Sequence, residues 1–114
     1  MDAVFYLPTC ETCRKILKSL PENNLVLRDI KKDPITATEL AEMHRRAGSY
    51  EALFSRRSQL YTARKLKEQT LGEEDFKNLI LEHYTFLNRP VFMIGDEIFI
   101  GSSKKSVEGA IAAL

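Results

Sequence analysis

Two residue types are scarce in this 114-residue chain, and each scarcity excludes something. There are only two cysteines, Cys10 and Cys13, with two residues between them. Such a pair cannot tie distant parts of a fold together, so a structural disulfide framework is excluded. There are only two histidines, His44 and His83, 39 positions apart (83 − 44). A structural zinc site takes four Cys or His ligands, normally in two close pairs, and the second pair is missing here. No apolar run approaches the roughly 20 residues of a membrane span. Met1-Asp2-Ala3 is not a basic region leading into an apolar stretch, so no secretory signal is expected and a cytoplasmic location is. There are no internal repeats and no low-complexity tracts. The net charge of +1 gives no general pull toward nucleic acid or membrane, and neither contact is expected.

What is present fits one domain. The apolar fraction is 44% and the charged fraction 29%, ordinary for a globular chain of this size. Charge is segregated, however. His44 to Lys67 carries Arg45, Arg46, Arg56, Arg57, Arg64, Lys65 and Lys67 against Glu51 alone, whereas Glu68 to His83 carries Glu68, Glu73, Glu74, Asp75 and Glu82 against Lys77. Such a pattern attracts an anion or an acidic partner, or simply marks solvated helix faces.

Ala3 to Leu7 reads as a buried strand that Pro8 ends. Cys13, Ile16, Leu17 and Leu20 then recur at i, i+3, i+4, i+7, one face of a helix over about 11–20. Pro21-Glu22-Asn23-Asn24 is a turn, and Leu25 to Ile30 a second strand, so the unit is a parallel, right-handed βαβ. Thr36-Ala37-Thr38-Glu39 has the form of a capping box before a helix with Leu40, Met43 and Ala47 on its apolar face, and Gly48 stops it. Short helical turns are expected at 50–54 and 60–66, and a further helix after Gly72 with Phe76, Leu79, Ile80 and His83 on one face. Asn88-Arg89-Pro90 breaks this pattern. Two strands, 91–94 and 97–100, flank a Gly95-Asp96 hairpin turn. A last helix after Gly101-Ser102-Ser103 buries Val107, Ala110, Ile111 and Leu114. The expected fold is α/β: a βαβ–ββα mixed sheet with a helical insert over about 35–84, in a single domain spanning 1–114.

The chemistry points to the first turn. A C-x-x-C between a strand and a helix reads as a redox motif, with Cys10 exposed at the head of the helix and Cys13 one turn in. Unsatisfied backbone N–H groups there favour a thiolate, the form that attacks. Arg14 adds positive charge nearby. Arg89-Pro90 precedes a strand. If that bond is cis, it aims the Asn88-Arg89 backbone at the thiol turn; if trans, it is a plain strand start. In Phe54-Ser55-Arg56-Arg57-Ser58 an arginine could grip an oxyanion near Cys10 or lower the thiol pKa, or it could belong to a solvated helix face. His44 and His83 are expected on helix surfaces.

Taken together, these motifs resemble the arsenate reductase/Spx family, thioredoxin-fold proteins with a helical insert after the first βαβ unit. The residues that carry the resemblance are Pro8-Thr9-Cys10-Glu11-Thr12-Cys13-Arg14-Lys15, Ser55-Arg56-Arg57-Ser58, and Arg89-Pro90 with Ile100-Gly101. The resemblance implies a thioredoxin-like fold with Cys10 as nucleophile toward an oxyanion or disulfide and Cys13 as the resolving thiol. It implies Arg57 (or Arg56, one position away) and Arg89 on the anionic substrate, with Pro90, Thr9, Thr12 and Arg14 shaping the site. It implies no metal or organic cofactor, and electrons from glutathione, glutaredoxin or thioredoxin. A third arginine of glutaredoxin-coupled arsenate reductases falls at about Gly101, where this chain has none. The alternative within the same resemblance is an Spx-like redox-sensing regulator that binds the C-terminal domain of the RNA polymerase α subunit, with Gly48 at the contact.

Overall fold

The structure is a computed structural model that describes residues 2–114. Strand β1 (Ala3–Tyr6) leads to helix α1 (Glu11–Ser19) and strand β2 (Val26–Asp29). Helices α2 (Ala37–Ala47), α3 (Gln59–Ala63) and α4 (Glu73–Glu82) follow, with 3₁₀ turns at Glu51–Leu53, Leu66–Glu68 and Tyr84–Phe86. Strands β3 (Val91–Ile94) and β4 (Glu97–Ile100) and helix α5 (Lys104–Ala113) close the chain. The chain divides into two compact units, residues 1–34 with 89–114, and residues 35–88.

The first unit is a four-stranded mixed sheet in the order β2-β1-β3-β4. β1 pairs parallel with β2, Val4 opposite Leu27, and antiparallel with β3, Val4 opposite Phe92. This is the mixed sheet expected of the βαβ–ββα pattern. β3 is buried along its whole length, so its run Val91-Phe92-Met93-Ile94 is continuously apolar rather than alternating. On one face Val4, Phe92 and Ile94 meet Ile16 of α1 and Ala110 of α5, with Leu17, Leu20 and Val107 packed around them. Gly95 adopts φ +58 at the hairpin tip, a left-handed backbone that a primed two-residue turn requires.

Two edges of the expectation give way. Leu7 lies outside β1, because its backbone is taken up by the thiol turn described below. Leu114 is 41% exposed: α5 ends at Ala113, and of the four expected core positions only Ala110 is fully buried.

The second unit is helical. The Thr36 hydroxyl accepts from the Glu39 N–H and the Glu39 carboxylate accepts from the Thr36 N–H, a complete capping box that starts α2. Gly48 ends α2 at φ +89, a conformation that strains any residue with a Cβ. Leu53, Phe54, Phe76 and Phe86 are buried, and the Phe54 ring lies 4.8 Å from Phe76 and 5.4 Å from Phe86. The segment 60–66 is not one helix, because Lys65 turns left-handed at φ +53 and separates α3 from the next turn. Among the described residues no helix is long and apolar enough to cross a membrane.

Candidate active site

Cys10 is the N-cap of α1, with extended backbone (φ −85, ψ 113) and partly exposed. Its N–H donates to the Leu7 carbonyl at 3.0 Å, which folds Pro8-Thr9 into a tight turn. The Arg14 guanidinium reaches back to the Pro8 carbonyl at 3.0 Å and holds that turn. Cys13 lies one helical turn on, fully buried. No disulfide joins the two.

The two thiols are driven apart. Desolvation alone pushes Cys10 up, but the Cys13 N–H, the Cys13 thiol, the Arg89 guanidinium and the Thr12 N–H all favour its thiolate, and the net shift is downward. Burial pushes Cys13 up to about 11, and the Cys10 thiol and its negative charge add to that; a bond from the Leu7 N–H and the charge of Arg89 oppose it. So Cys10 is the thiolate of the pair and Cys13 its protonated donor. The charge acting on Cys10 is therefore that of Arg89, whereas Arg14, which the sequence suggested, serves the backbone of the turn. Leu7, which no sequence pattern singled out, contacts both cysteines through its backbone.

Arg89 and Pro90 stand at the start of β3. Their peptide bond is cis, which decides between the two readings the sequence left open. Pro90 is fully buried, and its carbonyl accepts from the Gly101 N–H at 2.9 Å. Gly101 is itself buried at φ +87, so the position of the absent third arginine is one where a side chain would be strained. Thr9 is exposed on the turn and Thr12 in the first turn of α1.

In the helical unit the two candidate arginines separate cleanly. Arg56 is committed: it pairs with Glu51 at 2.8 Å and lies over the Phe54 and Phe76 rings at 6.0 and 5.5 Å. Arg57 is exposed in the turn before α3, with its backbone N–H on the Ser55 hydroxyl at 3.3 Å. Neither sits on a helix face. Part of the basic stretch is ion-paired as well: Arg45 and Arg46 share Glu42, which they hold down to about 2, and Arg64 pairs with Glu82 at 2.5 Å. Gly48 is exposed, with open space where a Cβ would stand. His44 stacks on Tyr50 and lies 3.9 Å from Glu73. His83 lies not on the surface of α4 but at its C-cap, half-buried, with Nδ1 2.8 Å from the Thr85 hydroxyl. Among the described residues no cluster of three or more His, Cys, Asp or Glu could hold a metal.

In the reduced protein, iodoacetamide is expected to label Cys10 long before Cys13. The midpoint of Cys10 labelling against pH falls below that of an unperturbed thiol, because the thiolate is favoured and persists to lower pH. Peptide mass spectrometry across a pH series reads both; equal labelling of the two cysteines contradicts the asymmetry.

A mixed β2-β1-β3-β4 sheet, a C-x-x-C capping its first helix and a cis-proline before the third strand define a thioredoxin-like thiol protein. Within that class the chain belongs to the ArsC family, whose model matches residues 5–110. Among solved structures it is similar to an ArsC-family-related protein from Bacteroides fragilis, at 25% identity and TM-score 0.81 over 96% of this chain and 97% of that one. It is also similar to an arsenate reductase from Vibrio cholerae (18% identity, TM-score 0.75, 99% and 97% covered). An arsenate reductase (ArsC) related protein from Brucella melitensis shares the fold too (16%, 0.70, 95% and 92%). No curated protein matches the chain by sequence.

Proposed function

We propose that the protein is a cytoplasmic thiol–disulfide oxidoreductase acting on an anionic disulfide or an oxyanion. The observation that carries this reading is the opposite pKa displacement of two hydrogen-bonded cysteines one helical turn apart. With a disulfide R–S–S–R, the Cys10 thiolate attacks one sulfur, a Cys10–S–R bond forms, and RS⁻ leaves and is protonated. Cys10 then carries no charge, so one of the influences that raised Cys13 is gone. Cys13 loses its proton and attacks the Cys10 sulfur, a Cys10–Cys13 bond forms, and the second R–S⁻ leaves. The substrate has gained two electrons and the protein has lost two. An external thiol, supplied by glutathione, glutaredoxin or thioredoxin, returns them. Arg89 stabilises the thiolate, Arg57 binds the substrate's negative charge, and Pro90, Thr9, Thr12, Arg14 and Arg56 support these groups. No metal or organic cofactor takes part.

The test is direct. Reduced protein treated with oxidised glutathione, and separately with arsenate, is expected to accumulate a Cys10–Cys13 disulfide, seen as a loss of two hydrogens and mapped by peptide mass spectrometry. Formation with neither oxidant rejects the reading.

One observation favours a second reading. Gly48 presents an exposed surface free of side chain, suited to close approach by another protein. In that reading the protein is an Spx-like regulator and its partner is the RNA polymerase α C-terminal domain. Absence of binding in both the oxidised and the reduced state removes it.

A further inference from the structure

Strand β2 is an edge of its sheet. It carries two of the three large apolar side chains that stand exposed among the described residues, Val26 at 43% and Leu27 at 59%. Edge strands are usually blunted by charge or proline, because their unpaired backbone accepts another strand. β2 has no proline, and its mid-strand charge is turned away. The Arg28 guanidinium lies over the Phe5 ring at 5.7 Å, and its Nε donates to the Asp33 carbonyl at 3.0 Å and meets the Asp33 carboxylate at 2.9 Å. The backbone of β2 has two sides. The Val26 and Ile30 N–H groups donate to the Asp2 and Tyr6 carbonyls at 3.0 and 3.1 Å, so the even-numbered residues bond to β1. Leu25, Leu27 and Asp29 therefore direct their backbone groups to the open edge. Two of these groups are taken within the chain: the Leu25 N–H donates to Asn23 Oδ1 at 3.0 Å, and the Asp29 carbonyl accepts from the Asp33 N–H at 2.9 Å. The Leu25 carbonyl, both groups of Leu27 and the Asp29 N–H are left for another strand.

Those groups are self-complementary in one arrangement. A second β2 is set antiparallel, with Leu27 opposite Leu27. Each Leu27 exchanges its N–H and carbonyl with the other, and each Asp29 N–H meets the Leu25 carbonyl of the second copy. The groups that this ladder would leave competing, the Leu25 N–H and the Asp29 carbonyl, are the two already satisfied within the chain. The side chains agree: the two Leu27 side chains lie together on one face, and Val26 stands opposite the stem of Arg28. Charge agrees as well. Glu22 precedes β2 and Lys31-Lys32 follow it, all three exposed. Antiparallel pairing brings the acidic end of one strand to the basic end of the other, whereas parallel pairing sets like beside like. We propose that two copies of this chain associate through antiparallel β2 edges, joining two four-stranded sheets into one of eight strands (2 × 4). The contact is independent of the chemistry at Cys10. It is small, so the dimer is reversible and forms at high concentration.

Sedimentation equilibrium of the full chain, from about 1 µM to about 1 mM, reads the association. A reducing agent is present throughout, so that no disulfide between copies contributes. The weight-average mass is expected to rise toward that of two chains in the upper part of the range. Leu27→Lys sets two ammonium groups side by side at the centre of the contact and should raise the dissociation constant at least tenfold. Glu22→Lys and Lys32→Glu test the direction of pairing. Each alone puts like charges opposite one another at both ends and should weaken self-association about threefold or more. A mixture of the two restores both pairs of opposite charge and should associate as well as the wild type. All three substituted side chains are exposed, so each variant should keep the fold. A wild-type chain that stays monomeric across the range overturns the proposal and leaves the edge to a strand of another protein. Association that Leu27→Lys does not weaken lies on another face and overturns it too. Single charge variants that associate like the wild type, or a mixture that shows no recovery, overturn the antiparallel pairing and the proposal with it.

Discussion

Cys10→Ser is expected to reduce turnover of a disulfide substrate by on the order of a thousandfold or more, because a serine hydroxyl at neutral pH has no ionised form to attack with. The fold should survive, since Cys10 caps α1 with its backbone and makes no side-chain cap hydrogen bond. Cys13→Ser should behave differently. The first attack remains and the second is lost, so the protein should accumulate as a mixed disulfide with the substrate thiol on Cys10. Intact mass separates the outcomes: no adduct for Cys10→Ser, one stable adduct for Cys13→Ser, and an internal disulfide for the wild type. The pH sign follows from the same asymmetry. The attack step, followed as adduct formation on Cys13→Ser, holds its rate to a lower pH than an ordinary thiol would, because the Cys10 thiolate is favoured. Undiminished turnover by Cys10→Ser would sink the assignment of the nucleophile.

The residues that local pattern revealed were those whose partners are close in sequence. Cys10 and Cys13, the apolar face through Ile16, the Thr36–Glu39 capping box and the Gly48 stop all depend on spacings of three or four residues, which a helix turns directly into contacts. The mixed sheet was legible for a related reason, because short apolar runs separated by one helix or one tight turn allow few arrangements. What pattern missed depends on contacts between distant positions. Arg14 lies four residues from Cys10 and looked like its counter-charge, yet the backbone of the turn claims its guanidinium. Arg89, 79 positions from Cys10 (89 − 10), is the cation that acts on the thiol, and only its place before Pro90 and the family resemblance had marked it. The contact between the Ser58 and Thr85 hydroxyls spans 27 positions and follows no helical or strand period. The basic run from 45 to 67 left two readings open because charge was counted along the chain. Arg64 finds Glu82 from another helix, and Arg56, though exposed, finds Glu51 and two phenyl rings.

Phe92→Ala is expected to cost about 3–5 kcal/mol of stability, the usual range for emptying a buried phenylalanine site. Phe92 is 1% exposed, on a strand buried on both faces, and its ring fills the space between Val4, Ile16, Ile94 and Ala110. Native domains are stable by only about 5–15 kcal/mol in total, so this one change removes a large share. For a chain of this size the melting temperature should fall by roughly 15 °C, measurable by calorimetry. Leu27→Ala is the contrast: Leu27 is 59% exposed on the edge strand β2, and its loss should stay within about 0.5 kcal/mol. The effect reaches the thiols through α1. Ile16 is the α1 residue in the Phe92 cluster, and Cys13 lies one turn before it on the same helix. A helix that loses this packing opens more often, so Cys13 in Phe92→Ala should become open to alkylation under conditions where only Cys10 reacts in the wild type. Loss of stability without any gain in Cys13 labelling would mean that α1 is held by something other than this cluster, and that burial of the resolving thiol does not depend on the core beneath it.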